Sequence, residues 1–75
     1  MVLNNIGVNF YDQQQYQEAL NYYQQSLAIA KKLDSKHSIA NRLNNVGLAY
    51  NGLAEYSNAL EYLEESLKIH KKLGY

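Results

Sequence analysis

The sequence predicts an all-α protein built from two copies of one helical hairpin. Proline is absent and only four glycines occur in 75 residues, so the residues that usually break helices and form tight turns are scarce. Helix-forming residues such as Ala, Leu, Gln, Glu and Lys are abundant. Apolar residues recur with helical spacing, and the chain matches itself at an offset of forty residues. A chain of this length has room for one small domain.

The internal repeat relates two segments that together make up nearly the whole chain. Fourteen of the 35 positions compared at the forty-residue offset are identical. The matched pairs include Leu3 and Leu43, Gly7 and Gly47, Tyr16 and Tyr56, Leu20 and Leu60, and Lys32 and Lys72. We therefore divide the single domain, residues 1–75, into repeat one at 1–34 and repeat two at 35–75.

Each repeat begins with a helix that has one apolar stripe. Residues spaced i, i+3, i+4 and i+7 lie on one face of a helix. The stripes are Leu3, Ile6, Gly7 and Phe10 in repeat one and Leu43, Val46, Gly47 and Tyr50 in repeat two. We expect these helices at 2–13 and 36–52, with Ser35 capping the second through its side chain.

The second helix of each repeat has two apolar stripes. In repeat one the stripes are Ala19, Tyr23, Leu27 and Ala30, and Tyr22, Ser26, Ile29 and Leu33. Two stripes are more than one neighbour requires, so this helix should lie between two others. We expect these helices at 17–33 and 57–73, after polar breaks, with Tyr22, Ile29 and Leu33 meeting the helix that follows.

Charge and composition exclude several classes of function. Seven basic and seven acidic residues give no net charge, which argues against nucleic-acid and membrane-surface partners. No cysteine is present, so disulfides and thiolate metal sites are excluded. The first residues lack the pattern of a signal peptide, and we expect a cytoplasmic protein.

The repeat resembles a tetratricopeptide repeat. The family pattern has a large apolar residue, two spacers, Leu-Gly, two spacers and an aromatic, followed later by Ala, three spacers and another aromatic. Its positions are occupied by Leu3, Ile6, Gly7, Phe10, Ala19 and Tyr23, and by Leu43, Val46, Gly47, Tyr50, Ala59 and Leu63. The family period is 34 and its second helix ends at proline, whereas Lys31 and Lys71 stand at that place here. The longer period resembles the arrays of kinesin light chain and of scaffolds with an Asn-Leu-Gly signature.

The resemblance implies two antiparallel helix-turn-helix units stacked as a short right-handed α-solenoid. It also implies a non-catalytic scaffold or adaptor segment whose first helices line a concave face that binds an extended protein or peptide partner. On that face we expect Asn4, Asn5, Val8, Tyr11, Asn41, Asn44, Asn45 and Leu48.

Asparagine is a poor residue for a helix interior, so its pairing in both repeats needs a reason. A carboxamide both donates and accepts hydrogen bonds, which suits the main chain of a bound segment. We expect Asn5 and Asn45 to make these bonds, with Asn4, Asn44 and Asn41 in support and Val8 and Leu48 contacting side chains. The alternative is that the amides cap backbone groups or face solvent.

No other group of residues predicts chemistry. His37 and His70 are far apart in sequence and lack a matched ligand set, so we expect packing or solvated roles, no metal and no cofactor. The Glu61, Glu64 and Glu65 cluster fits a solvated helix face. Asn4 and Asn44 occupy positions where chaperone-binding relatives need lysine, which argues against that ligand class. We expect no enzyme activity.

A second hypothesis is purely structural. About three repeats are usually needed for a stable array, so we expect a piece of a longer one. Tyr62, Ile69 and Leu73 should be exposed at the end of repeat two, and the chain should self-associate as a homo-oligomer through them. In that hypothesis the repeats space or oligomerise larger modules and bind no peptide.

Overall fold

The computed structural model describes residues 2–74, which form four α-helices. The helices are α1 (Val2–Asp12), α2 (Tyr16–Lys32), α3 (Lys36–Gly52) and α4 (Tyr56–Lys72). Every boundary lies within one residue of the expected one. Each helix packs on the next along the chain, so the two hairpins stack as a short helical solenoid. No helix in the described part of the chain is long and apolar enough to cross a membrane.

The core lies along both sides of α2. Its buried apolar residues are Ala19, Leu20, Tyr23, Leu27, Ala30, Ile39, Leu43, Val46 and Ala49. α2 thus contacts both α1 and α3, which confirms that it lies between two neighbours. The buried hydroxyl of Ser66 donates to the carbonyl oxygen of Ala40 at 2.7 Å and fixes α4 against α3.

Glycine marks the close approach of the two helices within each repeat. A Cβ atom at Gly7 would lie 2.7 Å from the ring of Tyr23, and one at Gly47 would lie 2.7 Å from Cγ of Leu63. Both distances are shorter than carbon atoms tolerate, so the small residue is required for this packing. A third contact was not expected from the sequence, because Gly52 lies directly against the ring of Tyr16.

The residues of α2 that meet α3 differ from those expected. Tyr22 instead stacks on Phe10 of α1, with ring centroids 5.6 Å apart and planes at 10°. Leu33 is 71 % exposed, and Ile29 is also exposed. Leu20 and Leu27 belong to the core that α3 completes. Ser26 of the expected stripe does contact α3, because its Oγ accepts from Nε of Arg42, but the apolar contact lies about a quarter-turn of α2 away.

Three turns connect the helices without glycine at the left-handed position. Gln14, Asp34 and Ala54 have φ of 61°, 52° and 63°. In each turn the following amide bonds back to the preceding helix, as from Gln15 to Phe10 at 2.9 Å and from Glu55 to Tyr50 at 2.9 Å. Gln14 and Ala54 occupy equivalent positions in the two repeats, so the same turn forms twice with unrelated side chains.

Ser35 does not cap α3 through its side chain, so that expectation was wrong. The residue has extended backbone angles, as an N-cap should, but its contribution is made by the backbone. Its N–H donates to Ala30 at 3.3 Å and its carbonyl accepts from Ile39 at 2.8 Å. The backbone of this one residue therefore closes α2 through its N–H and begins α3 through its carbonyl.

Candidate functional site

Helical spacing places most of the expected site residues on one side of α1 and α3. We call this set the asparagine face; it comprises Asn4, Asn5, Val8, Asn41, Asn44, Asn45 and Leu48. Asn5, Val8 and Asn41 are exposed, and the other four are half-buried. The face is therefore neither core nor fully solvated, which suits a surface that contacts a partner.

Asn45 and Asn4 form a direct link between α3 and α1. Nδ2 of Asn45 donates to Oδ1 of Asn4 at 2.7 Å. This bond uses one donor of Asn45, which the sequence assigned to a bound ligand. A carboxamide has two donors and two acceptor positions, so part of the capacity of Asn45 remains. The link holds the first helices of the two repeats in register.

The amides of Asn5 and Asn44 have no side-chain hydrogen-bond partner within residues 2–74. Asn41 differs, because its Oδ1 accepts from Nη1 of Arg42 at 2.6 Å. Asn44 is half-buried, but its amide atoms still reach solvent, since no fully buried side-chain N or O atom among the described residues lacks a partner. Asn5 and Asn44 are therefore the amides best placed to bond a ligand.

Two open cavities adjoin the asparagine face, one at its α1 part and one at its α3 part. The first, about 520 Å³, lies along α1 and is lined by Val2, Asn5, Ile6, Val8, Asn9 and Asp12. The second, about 670 Å³, lies between α3 and α4 and includes Asn41. Asn44 and Leu48 line neither cavity. The structure thus separates the expected residues into an α1 part and an α3 part, joined by the Asn45 to Asn4 bond.

Tyr11, which was expected on the ligand face, is directed at the core. Its ring meets that of Tyr16 edge-on, with centroids 5.3 Å apart. Tyr11 is half-buried and packs against the core cluster. The spacing of Tyr11 from Val8 was compatible with a place on the ligand face or on the core face of α1. The contact with Tyr16 of α2 places its ring on the core face. Tyr11 therefore packs against the core beside the asparagine face, and its contact with a ligand stays a prediction.

Two phenols among the described residues have a raised pKa. Burial raises the pKa of Tyr23 to about 12, with smaller contributions from Tyr11 and Asp12. Burial also raises the pKa of Tyr62, and the neighbouring Tyr50, Glu65 and Glu61 add to the effect. Both phenols stay protonated at neutral pH. Within residues 2–74 no three His, Asp or Glu side chains are grouped to hold a metal ion.

The exposed apolar surface of α4 is not the one expected. Tyr62 is half-buried and stacks on Tyr50, with centroids 5.5 Å apart, and Ile69 is half-buried against the core. Of the three expected residues only Leu73 is exposed. The exposed surface lies on the next side of the helix, and we call Tyr56, Leu60 and Leu67 the outer face of α4.

The repeat relates the outer face of α4 to a buried surface of α2. Tyr16, Leu20 and Leu27 are the repeat-one equivalents of these residues, and Leu20 and Leu27 are buried where α3 packs on α2. The forty-residue offset therefore predicts the outer face of α4 from the residues of α2 that are buried with α3. Tyr62 and Ile69 were expected to be exposed because their equivalents Tyr22 and Ile29 were expected to contact α3. Neither expectation holds.

Comparison with known proteins gives the family. The model of the tetratricopeptide repeat matches residues 1–72. A search of curated proteins and a search of solved structures each returned no significant match. The family match covers both hairpins, including the glycines at the helix crossings. The chain belongs to the tetratricopeptide-repeat family.

Proposed function

We propose that this chain is a non-catalytic interaction module that binds an extended protein segment on its asparagine face. Tetratricopeptide repeats in general mediate protein interactions and are not catalysts. The observation that supports this site is the pair of solvent-accessible amides at Asn5 and Asn44, which bond no other side chain among residues 2–74 and lie next to two amides that bond each other. Peptide main chain offers alternating donors and acceptors, which carboxamides can match.

The roles of the asparagines differ from those the sequence suggested. Asn45 and Asn4 hold α3 and α1 together, so they preorganise the face. Asn5 and Asn44 bond the main chain of the segment. Val8 and the cavity beside it along α1 accept a side chain from the segment, and Leu48 contacts another. The forty-residue offset supports membership of the longer-period scaffold arrays within the family.

The test begins by selecting random twelve-residue peptides for binding to the 75-residue chain. The selected peptide is then mapped on the chain by NMR chemical-shift changes. We expect the side-chain amide signals of Asn5 and Asn44 to shift, together with Val8 and Leu48. A footprint on α2 or on the outer face of α4, without these amides, would contradict the proposal.

A different observation favours a second surface. Leu60 and Leu67 are 57 % and 53 % exposed, whereas their equivalents Leu20 and Leu27 are 6 % and 5 % exposed, in a core cluster that includes residues of α3. We propose that the outer face of α4 docks a helix with the residue pattern of α3. Such a helix must have a small residue facing Tyr56, because Gly52 lies against the ring of Tyr16 at the equivalent place.

This requirement argues against simple head-to-tail stacking of two copies. In a second copy the helix equivalent to α3 is α1, and the residue equivalent to Gly52 is Asp12. The side chain of Asp12 would meet the ring of Tyr56 in the register that α3 uses on α2. The test offers the chain two synthetic peptides, residues 35–55 and residues 1–14. We expect only the first to bind; binding of both alike, or concentration-dependent dimers through α1, would contradict this docking rule.

A further inference from the structure

The cavity between α3 and α4 is lined in part by basic side chains that are not part of the shared repeat pattern. Its lining residues are His37, Ser38, Asn41, Arg42, Leu67 and His70. The two histidines are 33 residues apart in sequence, and the fold brings both to this cavity. The repeat-one equivalents of Arg42 and His70 are Val2 and Ala30, so neither basic residue is part of the shared repeat pattern.

Arg42 is held in place by neutral oxygens. Its Nε donates to Oγ of Ser26 at 2.8 Å, and its Nη1 donates to Oδ1 of Asn41 at 2.6 Å. A guanidinium group has five N–H donors, so these two bonds leave others for a ligand. The side chain is half-buried, and its two bonds fix the direction of the fork. The guanidinium is therefore preorganised without being saturated.

No carboxylate in the described chain neutralises this charge. The ion pair found within residues 2–74 joins Lys36 and Asp34, both of which are exposed, at 3.1 Å. None of the six lining residues of the cavity is acidic. A half-buried cation without a counter-charge attracts an anion more strongly than an exposed one, because less water screens it. Leu67 adds an exposed aliphatic side chain to the same cavity.

We propose that this cavity binds a carboxylate side chain of a protein segment, with Arg42 as its ionic partner. Leu67, when no helix covers the outer face of α4, contacts an aliphatic side chain next to that carboxylate. The expected ligand is therefore an acidic residue, Glu or Asp, beside a Leu-like residue. The inference rests on the proposed function only in taking the ligand to be a protein segment, and Asn41 connects this cavity to the asparagine face.

The experiment titrates the 75-residue chain with two matched probes. One is the tripeptide acetyl-Leu-Glu-Leu-amide, and the other has Gln in place of Glu. We expect the Glu probe to shift the NMR signals of the Arg42 side chain and of the His37 and His70 rings. The Gln probe should bind more weakly by a factor of about ten or more, since a charge-assisted hydrogen bond is replaced by a neutral one. Equal binding of the two probes, or no binding of either, would overturn the proposal.

Matched variants locate the charge that acts. Arg42→Gln should remove the preference for the Glu probe. Lys36→Gln removes the same charge from an exposed residue of the same helix, and it should keep the preference. Loss of the preference in both variants would show that the overall charge of the chain acts, and it would contradict a site at Arg42.

A measurement on the unaltered chain covers the case in which Arg42→Gln does not fold. Added sodium chloride should weaken binding of the Glu probe and leave that of the Gln probe nearly unchanged, because salt screens only the ionic contact. The same weakening for both probes would contradict the proposal.

The two proposals fail differently. If both probes bind alike while a selected peptide still requires Asn44, only the carboxylate site is wrong. If the Glu probe is preferred but no peptide requires Asn5 or Asn44, the binding role of the asparagine face is wrong and the carboxylate site stands.

Discussion

Leu20 and Leu60 occupy equivalent positions forty residues apart, yet Leu20 is buried under α3 while Leu60 is mostly exposed. The same side chain on the same helical repeat therefore has two environments, and the difference is the presence of a following helix. This pair gives the most direct view of what one repeat contributes to the next. It also provides a matched pair of substitutions.

We expect Leu20→Ala to lower the free energy of unfolding by about 2–5 kcal/mol, the usual cost of a cavity in a core. Leu60→Ala should change it by less than about 1 kcal/mol, since little buried contact is lost. Urea denaturation followed by circular dichroism measures both. Loss of the folded state in Leu20→Ala alone would agree with this expectation, and equal costs for the two variants would refute the placement of α3 on Leu20.

The turn at Ala54 offers a stabilising substitution. Ala54 has φ of 63°, a conformation that costs an L-residue about 1 kcal/mol relative to glycine. We expect Ala54→Gly to stabilise the chain by a few tenths to about 1 kcal/mol, because part of the gain is offset by the greater freedom of glycine when unfolded. Thermal melting measures the change.

The control for that variant is Ala49→Gly. Ala49 is buried in α3, so glycine there loses both packing and helix propensity and should destabilise by about 1 kcal/mol or more. If both substitutions destabilise, the left-handed turn at Ala54 is wrong.

Gly52 and Tyr16 should be energetically coupled. A methyl group at Gly52 would strike the ring of Tyr16 near its attachment point, where the ring cannot move away easily. We expect Gly52→Ala to destabilise by about 1–3 kcal/mol despite the better helix propensity of alanine. In a Tyr16→Ala background the same change should cost much less. Equal costs in both backgrounds would show that the contact does not limit packing.

Stability should fall in alkali because of Tyr23. Its pKa in the folded chain is raised from 10.0 to about 12, so the protonated phenol is favoured by folding. The unfolded chain releases its proton first, and the contribution of this residue is lost as pH rises from about 10 to 12. Urea midpoints measured across this range should decline less in Tyr23→Phe. An equal decline in both proteins would place the effect elsewhere.

The helices could be predicted from the sequence because their apolar spacing is local. The forty-residue repeat supported each prediction, since the same spacing occurs in both copies. The glycines at the helix crossings followed from the same pattern. The left-handed turns could not be predicted, since Gln14, Asp34 and Ala54 have no residue type in common that favours positive φ. Local sequence marks a break in the helix, but the backbone of the break depends on the packing of the helices it joins.

The candidate site could be predicted only in part, for a related reason. Spacing put the asparagines on one side of two helices, but the bond from Asn45 to Asn4 depends on how α3 lies beside α1. The shared cavity of His37 and His70 likewise depends on the antiparallel packing of α3 and α4. Tyr11 shows what helical spacing cannot decide, because its position was compatible with a side chain in the core or on the surface.

The most direct test of the proposed binding face is the affinity of Asn44→Ala for a selected peptide, measured by isothermal titration calorimetry. We predict a loss of about 1–3 kcal/mol in binding free energy, because truncation leaves the main chain of the bound peptide without its partner. Asn21→Ala on α2, an exposed asparagine outside the face, is the control and should bind as the unaltered chain does. Unchanged affinity in Asn44→Ala, with the fold intact by circular dichroism, would contradict the asparagine face as the site of binding.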